Sequence, residues 1–194
     1  MKYNNEKTYN LKLAGLTREI PIVKIGENLW IASFVMLGDT ELNYRCAREI
    51  VRRFPEDFDY VITPEAKAIP LAQSICQLCE MDGKFKDYLV LRKSVKGYMK
   101  NPIIVEVKSI TTTSKQIMVL EERAVEKIKG KRVCLIDDVI STGGSYRAMI
   151  ELVKKAGADI VFAGAVLREG DFDISDIENK VGKISYLGDL PVFN

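Results

Sequence analysis

Residues 133–145 read VCLIDDVISTGGS, and this string constrains the chain more than any other. Val133, Cys134, Leu135 and Ile136 form a short apolar run of the kind that fills a strand buried on both faces of a parallel sheet. Two carboxylates, Asp137 and Asp138, fall where that strand is expected to end, and a loop of small residues follows: Ser141, Thr142, Gly143, Gly144 and Ser145. Residues 146–156 carry apolar side chains at Met149, Ile150, Leu152, Val153 and Ala156 among charges at Glu151, Lys154 and Lys155, which is helical spacing, and Gly157 is a natural stop. Strand, hydroxyl-and-glycine loop and helix start make a phosphate site, because loop N–H groups and the helix dipole both favour an anion and glycines let the backbone come close. The acid pair would repel a phosphate but accepts hydrogen bonds well from sugar hydroxyls. The two parts together describe a site for a ribose 5-phosphate.

Other phosphate motifs fit poorly: there is no GxxxxGK[ST], and no GxGxxG opens a helix after a strand. The 194 residues suffice for one domain with a sizeable core. A formal net charge of +2 supplies no global field for nucleic acid or an acidic membrane, so neither is an expected partner. No apolar run approaches the roughly 20 residues of a membrane-spanning helix. The opening MKYNNEKTYN has no apolar signal core, so a cytoplasmic protein is expected.

Histidine is absent, which removes Ser-His-Asp and Cys-His machinery and any His-based metal site. Acid–base work is left to carboxylates, Lys, Tyr, the backbone or the substrate itself. Cys76 and Cys79 form a CxxC inside an apolar helical pattern over residues 69–81, with no partner pair elsewhere, and they read with Cys46 and Cys134 as small buried hydrophobes.

Along the chain, residues 20–25 and 29–37 read as short strands and 40–54 as a helix capped by Asp39 or Thr40. Strands are expected at 59–63, 88–91, 116–120, 131–137 and 159–167, and helices at 69–81, 121–129 and 146–156. Alternating strands and helices predict an α/β fold with a mainly parallel sheet and helices on both faces. Ligands of such sheets bind beyond the carboxyl ends of the strands, where residues 63–68, 92–96 and 137–145 all fall. Residues 97–115 are polar and poorly periodic and read as a long loop, a candidate active-site lid.

The 133–145 string resembles the phosphoribosyl-pyrophosphate (PRPP) motif of type I phosphoribosyltransferases at every class of position. That resemblance, which spans roughly residues 59–167, implies a single domain with its core there and a small hood from residues 1–40 and 184–193. It implies that Glu65, Ala66, Lys67 and Ala68 form a pyrophosphate loop, with Lys67 where adenine phosphoribosyltransferases usually have arginine. It makes Arg92, Lys93 and Lys96 the basic start of a flexible catalytic loop. Adenine-type enzymes carry Tyr-x-x-Glu-Tyr-Gly in that loop; here Thr111 falls about where the glutamate should be, and Glu106 is out of register.

The implied chemistry is a magnesium-dependent purine phosphoribosyltransferase in which Mg2+ is held mainly through PRPP. Asp137, Asp138 and Lys93 are the candidate catalytic residues, and Trp30, Phe34 and Val35 offer flat apolar surface to the base. Adenine is the expected base, with xanthine or hypoxanthine next, and a homodimer is the expected assembly. A non-catalytic PRPP-sensing module is the alternative from a different class. A magnesium site in a phosphotransfer domain ranks last, since it has no use for the Ser-Thr-Gly-Gly loop.

Overall fold

The computed structural model describes residues 1–81, 83, 86–107 and 116–194. Its centre is a five-stranded sheet built from β4 (Tyr60–Pro64), β5 (Asp87–Leu91), β8 (Arg132–Ile140), β9 (Asp159–Glu169) and β10 (Ser185–Leu190), in the order β10-β9-β8-β4-β5. Every neighbouring pair in it is parallel. The apolar run of residues 133–136 explains why β8 is central. Val133 and Leu135 join one buried cluster, Cys134 and Ile136 the opposite one, and all four are fully buried. A strand with apolar side chains on both faces needs cover on both. α1 (Thr40–Val51) and α2 (Ile69–Met81) cover one face, and α3 (Glu122–Ile128), α4 (Gly144–Lys155) and α5 (Ser175–Val181) contribute to the cluster on the other. The expected α/β architecture, parallel sheet and two-sided helical cover are therefore present.

A second, smaller sheet runs β1-β2-β3-β11 and is formed by β1 (Thr8–Leu13), β2 (Leu16–Gly26), β3 (Leu29–Ala32) and β11 (Val192–Phe193). β1 was not among the expected strands, although Tyr9, Leu11 and Leu13 alternate inward against Thr8, Asn10 and Lys12 outward. Residues 33–37, expected to continue a strand from residue 29, leave the sheet after Ala32. The small sheet is tied to the central body through Arg18 on β2, whose Nε lies 2.7 Å from the carboxylate of Asp39; that carboxylate also caps α1 by accepting from the Leu42 N–H at 3.0 Å. The tail divides. β10 is an edge strand of the central sheet, and only β11 pairs with β3.

The region expected to be a long loop contains β6 (Ile103–Val107), paired antiparallel with β7 (Gln116–Leu120) as a two-stranded sheet. Its pattern is a strand's: Val105 is buried and Ile103 and Val107 pack on the core, while Ile104 between them is exposed. Thr111, the position in register with the lid glutamate of adenine-type enzymes, lies outside the described residues. Among the described residues, no helix is long and apolar enough to cross a membrane.

Candidate active site

β8 runs three residues further than expected, so Asp137 and Asp138 lie within the strand, and the chain leaves it only after Ile140. The expectation that they cap the strand end is corrected: neighbouring strands still pair there, with Asp137 opposite Ala165 and Val139 opposite Leu167. Consecutive strand residues point to opposite faces. Asp137 follows Val133 and Leu135 toward the side of α4, and Asp138 follows Cys134 and Ile136 toward α2. Both are buried, at 6% and 8% exposure, and the Asp138 N–H donates to Asp137 Oδ1 at 2.8 Å. Burial, and after it the charge of Asp138, hold the Asp137 carboxyl well above the usual carboxylate range, while Lys93 pulls it down. Asp138 Oδ2 is buried without a hydrogen-bond partner among the described residues, an acceptor oriented for something the polypeptide does not supply.

The loop after β8 turns on Gly143, the residue before α4, whose φ of +80° lies in the left-handed region. A Cβ there would sit 2.3 Å from Ile177 Cδ1. Arg147, one turn into α4, holds the loop from behind: its Nη1 donates to the Thr142 carbonyl at 2.5 Å, and its Nε and Nη2 make a paired contact with Asp176 at 2.8 and 2.6 Å. Ser141, Thr142, Gly144 and Ser145 are partly exposed on the open side.

A cavity of about 290 Å3 gathers Asp137, Asp138, Ser141 and Ser145 with Glu65, Ala66, Lys67 and Lys93, and with Ile31, Ser33 and Phe34 from the small-sheet side. The Lys67 ammonium lies 3.4 Å from the Phe34 carbonyl and 3.8 Å from Asp138 Oδ2. The peptide between Glu65 and Ala66 is cis. Glu65 ties its loop to the segment after β5: its carboxylate accepts from the Lys93 N–H at 3.0 Å and stands 2.7 Å from Arg92 Nε. A second cavity, about 490 Å3, shares Ile31, Val139, Ser141, Ser145 and Glu169 with the first and adds Thr142, Gly143, Gly144, Phe172 and Val192.

Not every residue expected at the site lines these cavities. Lys96 does not line either, and its N–H donates to Met99 Sδ at 3.4 Å. Arg92 is engaged by Glu65, and Ala68 is fully buried at the start of α2. Of the three residues offered for a base, Phe34 lines the cavity. Trp30 faces away and stacks on Tyr3 with ring centroids 4.3 Å apart, and Val35 is 52% exposed outside it. Strand alternation explains the exchange, since turning Trp30 to the core turns Ile31 to the cavity.

Ile31, Ser33, Glu169, Phe172 and Arg147 were missed. Glu169 could have been reached by extending the strand expected at 159–167 by two residues to the carboxyl edge where ligands bind. Among the described residues no cluster of three or more His, Cys, Asp or Glu side chains could cage a metal. Cys76, Cys79 and Cys134 are buried, and burial pushes the Cys76 thiol up to about 12, as suits a packing residue.

A family model of the phosphoribosyl transferase domain matches residues 41–178. The hypoxanthine/guanine phosphoribosyltransferase of Methanococcus voltae is 34% identical over 155 residues, which covers 78% of this chain and 76% of that protein. The enzyme of the same name from Methanotorris igneus is 32% identical over 184 residues, 90% of this chain and 92% of its own. Among solved structures, adenine phosphoribosyltransferase from Thermoanaerobacter pseudethanolicus superposes with a TM-score of 0.66 at 19% identity, covering 79% of this chain and 84% of that one. The chain belongs to the phosphoribosyltransferase family. The structural likeness, at that identity, concerns the fold.

Proposed function

We propose that this phosphoribosyltransferase moves ribose 5-phosphate from PRPP to a purine base, giving a nucleoside 5-monophosphate and pyrophosphate. The observation that carries the reading is one cavity lined by a buried acid pair, by Ser141 and Ser145 of the loop at the start of α4 and by two lysines, with the loop glycines lining the adjoining cavity. The 141–145 loop and the start of α4 hold the 5-phosphate. Asp137 and Asp138 accept from the ribose 2- and 3-hydroxyls, and the Oδ2 of Asp138, which has no hydrogen-bond partner among the described residues, suits this role. Their negative charge offsets the positive charge that develops on the ring as the bond from C1 to pyrophosphate breaks. Lys67 and Lys93 stand beside the leaving group and neutralise it. The purine nitrogen forms the new bond to C1 and passes its proton to the departing pyrophosphate or to water.

Magnesium fits this arrangement without a protein cage, since it is commonly held by one or two carboxylates and substrate phosphates and keeps several waters. The oxygens of PRPP would hold it, and it would supply positive charge to offset that of the pyrophosphate.

The sequence relatives are named for hypoxanthine and guanine. That supports a 6-oxopurine over the adenine expected from the motifs alone, because the adenine enzymes enter only as neighbours in fold. The protein incubated with PRPP, Mg2+ and each of adenine, hypoxanthine, guanine and xanthine should release pyrophosphate, fastest with a 6-oxopurine. PRPP binding without release for any base would instead favour a non-catalytic PRPP sensor.

A further inference from the structure

We infer that Glu169 reads the purine edge: its carboxylate accepts from N1–H and from a 2-amino group, so that a 2-amino-6-oxopurine is bound in preference to a 6-aminopurine. This rests on the purine reading above and goes beyond it by naming the residue and the edge it selects.

Glu169 ends β9, one residue past the point where Arg168 pairs with Ile140, and so stands beside the start of the phosphate loop. It lines both cavities, at the junction between the acid-pair wall and the space in front of the loop. Apolar side chains line the cavities with it: Ile31 from β3 in both, and Phe172 and Val192 in the second. Apolar and aromatic side chains suit the faces of a planar ring and leave its polar edge to find partners elsewhere. Among the described residues lining the second cavity, the titratable side chains are Glu169 and Tyr146, and the Tyr146 hydroxyl is already committed to the Gly164 carbonyl at 2.5 Å. Glu169 is thus the charged group left for an edge.

The Glu169 carboxylate is partly buried, and its removal from water pushes its pKa up. Lys67 works against that rise and Asp138 adds to it. A desolvated carboxylate is acceptor-only and costs free energy until donors meet both oxygens. Guanine presents two adjacent N–H donors, one for each oxygen, and hypoxanthine presents one. Adenine presents an acceptor at N1, which sets lone pair against lone pair. Sites of this kind, in which mismatch leaves buried polar groups unpaired, discriminate by up to about 10⁴.

The test is kcat/KM for guanine, hypoxanthine, 1-methylguanine and adenine with PRPP and Mg2+, on the wild type and on Glu169→Gln, together with calorimetric binding of GMP and AMP. The wild type should favour guanine, lose roughly tenfold or more on hypoxanthine and more again on 1-methylguanine and adenine, following the size of unpaired-group penalties. In Glu169→Gln, whose amide can donate to adenine N1, the guanine-to-adenine ratio should collapse by about 100-fold in turnover and in nucleotide binding alike. If the variant does not fold, the wild-type ranking decides: equal rates for guanine and 1-methylguanine overturn the inference. Purine turnover with a guanine-to-adenine ratio that Glu169→Gln leaves unmoved overturns it while the purine reading stands. Failure of every purine in the wild type overturns both.

Discussion

The Lys67 ammonium stands 3.8 Å from Asp138 Oδ2 across the floor of the cavity, so a cation from the loop after β4 meets an anion from β8 where ribose and pyrophosphate would join. With Lys67 half exposed and the charges at that distance, the pair adds little to stability. In the proposed reaction it would place opposite charges beside the two fragments of the bond that breaks. Lys67→Ala should therefore leave Tm within about 1 °C, as expected for a surface change. It should lower kcat/KM for PRPP by about 10–100-fold, with Lys67→Arg recovering most of the loss. Steady-state kinetics with pyrophosphate detection checks this; an alanine variant with wild-type kcat/KM removes Lys67 from the site.

Asp137→Asn and Asp138→Asn should each reduce kcat by about 10²–10³, equivalent to roughly 2–4 kcal/mol of lost transition-state stabilisation. Circular dichroism should show the native fold in both. Wild-type turnover in the two variants is incompatible with their assignment to the ribose.

The raised pKa of Asp137 gives stability a definite pH slope. A carboxyl held above its unfolded value contributes stability below the unfolded pKa of about 4, and that contribution is lost as pH rises through the folded value. Tm of the wild type should thus fall relative to Asp137→Asn as pH rises from about 4 toward neutrality. Activity should run the other way, failing on the acid side at a pH above the ordinary carboxylate range, since the proposed reaction uses the ionised pair. Parallel melting curves and pH–rate profiles read the two slopes.

Gly143→Ala should raise KM for PRPP and lower Tm, because the left-handed φ costs about 1–2 kcal/mol for any other residue and the new methyl meets Ile177. Measured in an Ile177→Ala background, where that contact is absent, the Tm loss from Gly143→Ala should be smaller and reduce to the backbone part. Arg147→Met, which frees the Thr142 carbonyl, should raise KM for PRPP with kcat at saturation little changed.

Trp30 is the single tryptophan of the chain and stacks on Tyr3 away from the cavity. Its fluorescence should not respond to titration with a free purine, and Trp30→Phe should keep KM for the base within about twofold, the scale of a small surface-like change. Phe34→Ala should raise that KM. A base-dependent quench of Trp30 would show that the small sheet presents its other face.

The motif around Asp137 and Asp138 was legible because it is contiguous: phosphate loop, acids and helix start are neighbours in the chain, and the central sheet follows from apolar runs such as residues 133–136. What the sequence hid depends on parity and on contacts between distant segments. A one-residue choice of face exchanges Trp30 for Ile31 at the cavity. The β6–β7 pair was obscured by polar flanking residues, although Ile103, Val105 and Val107 alternate as a strand should. Glu169 lay past the expected strand end, and Arg147 meets its partner Asp176 only because α5 packs beside the loop, a contact between segments distant in sequence.

Arg92, directly after β5, exchanges two backbone hydrogen bonds with Val119 of β7, at 2.9 and 2.8 Å. The root of the β6–β7 pair is thereby clamped to the segment that carries Lys93. Val119 is also the partner of Ile104, so β6, β7 and the start of the 92–96 segment share one backbone network, and a shift of either strand at that end is transmitted to the lysine that lines the cavity.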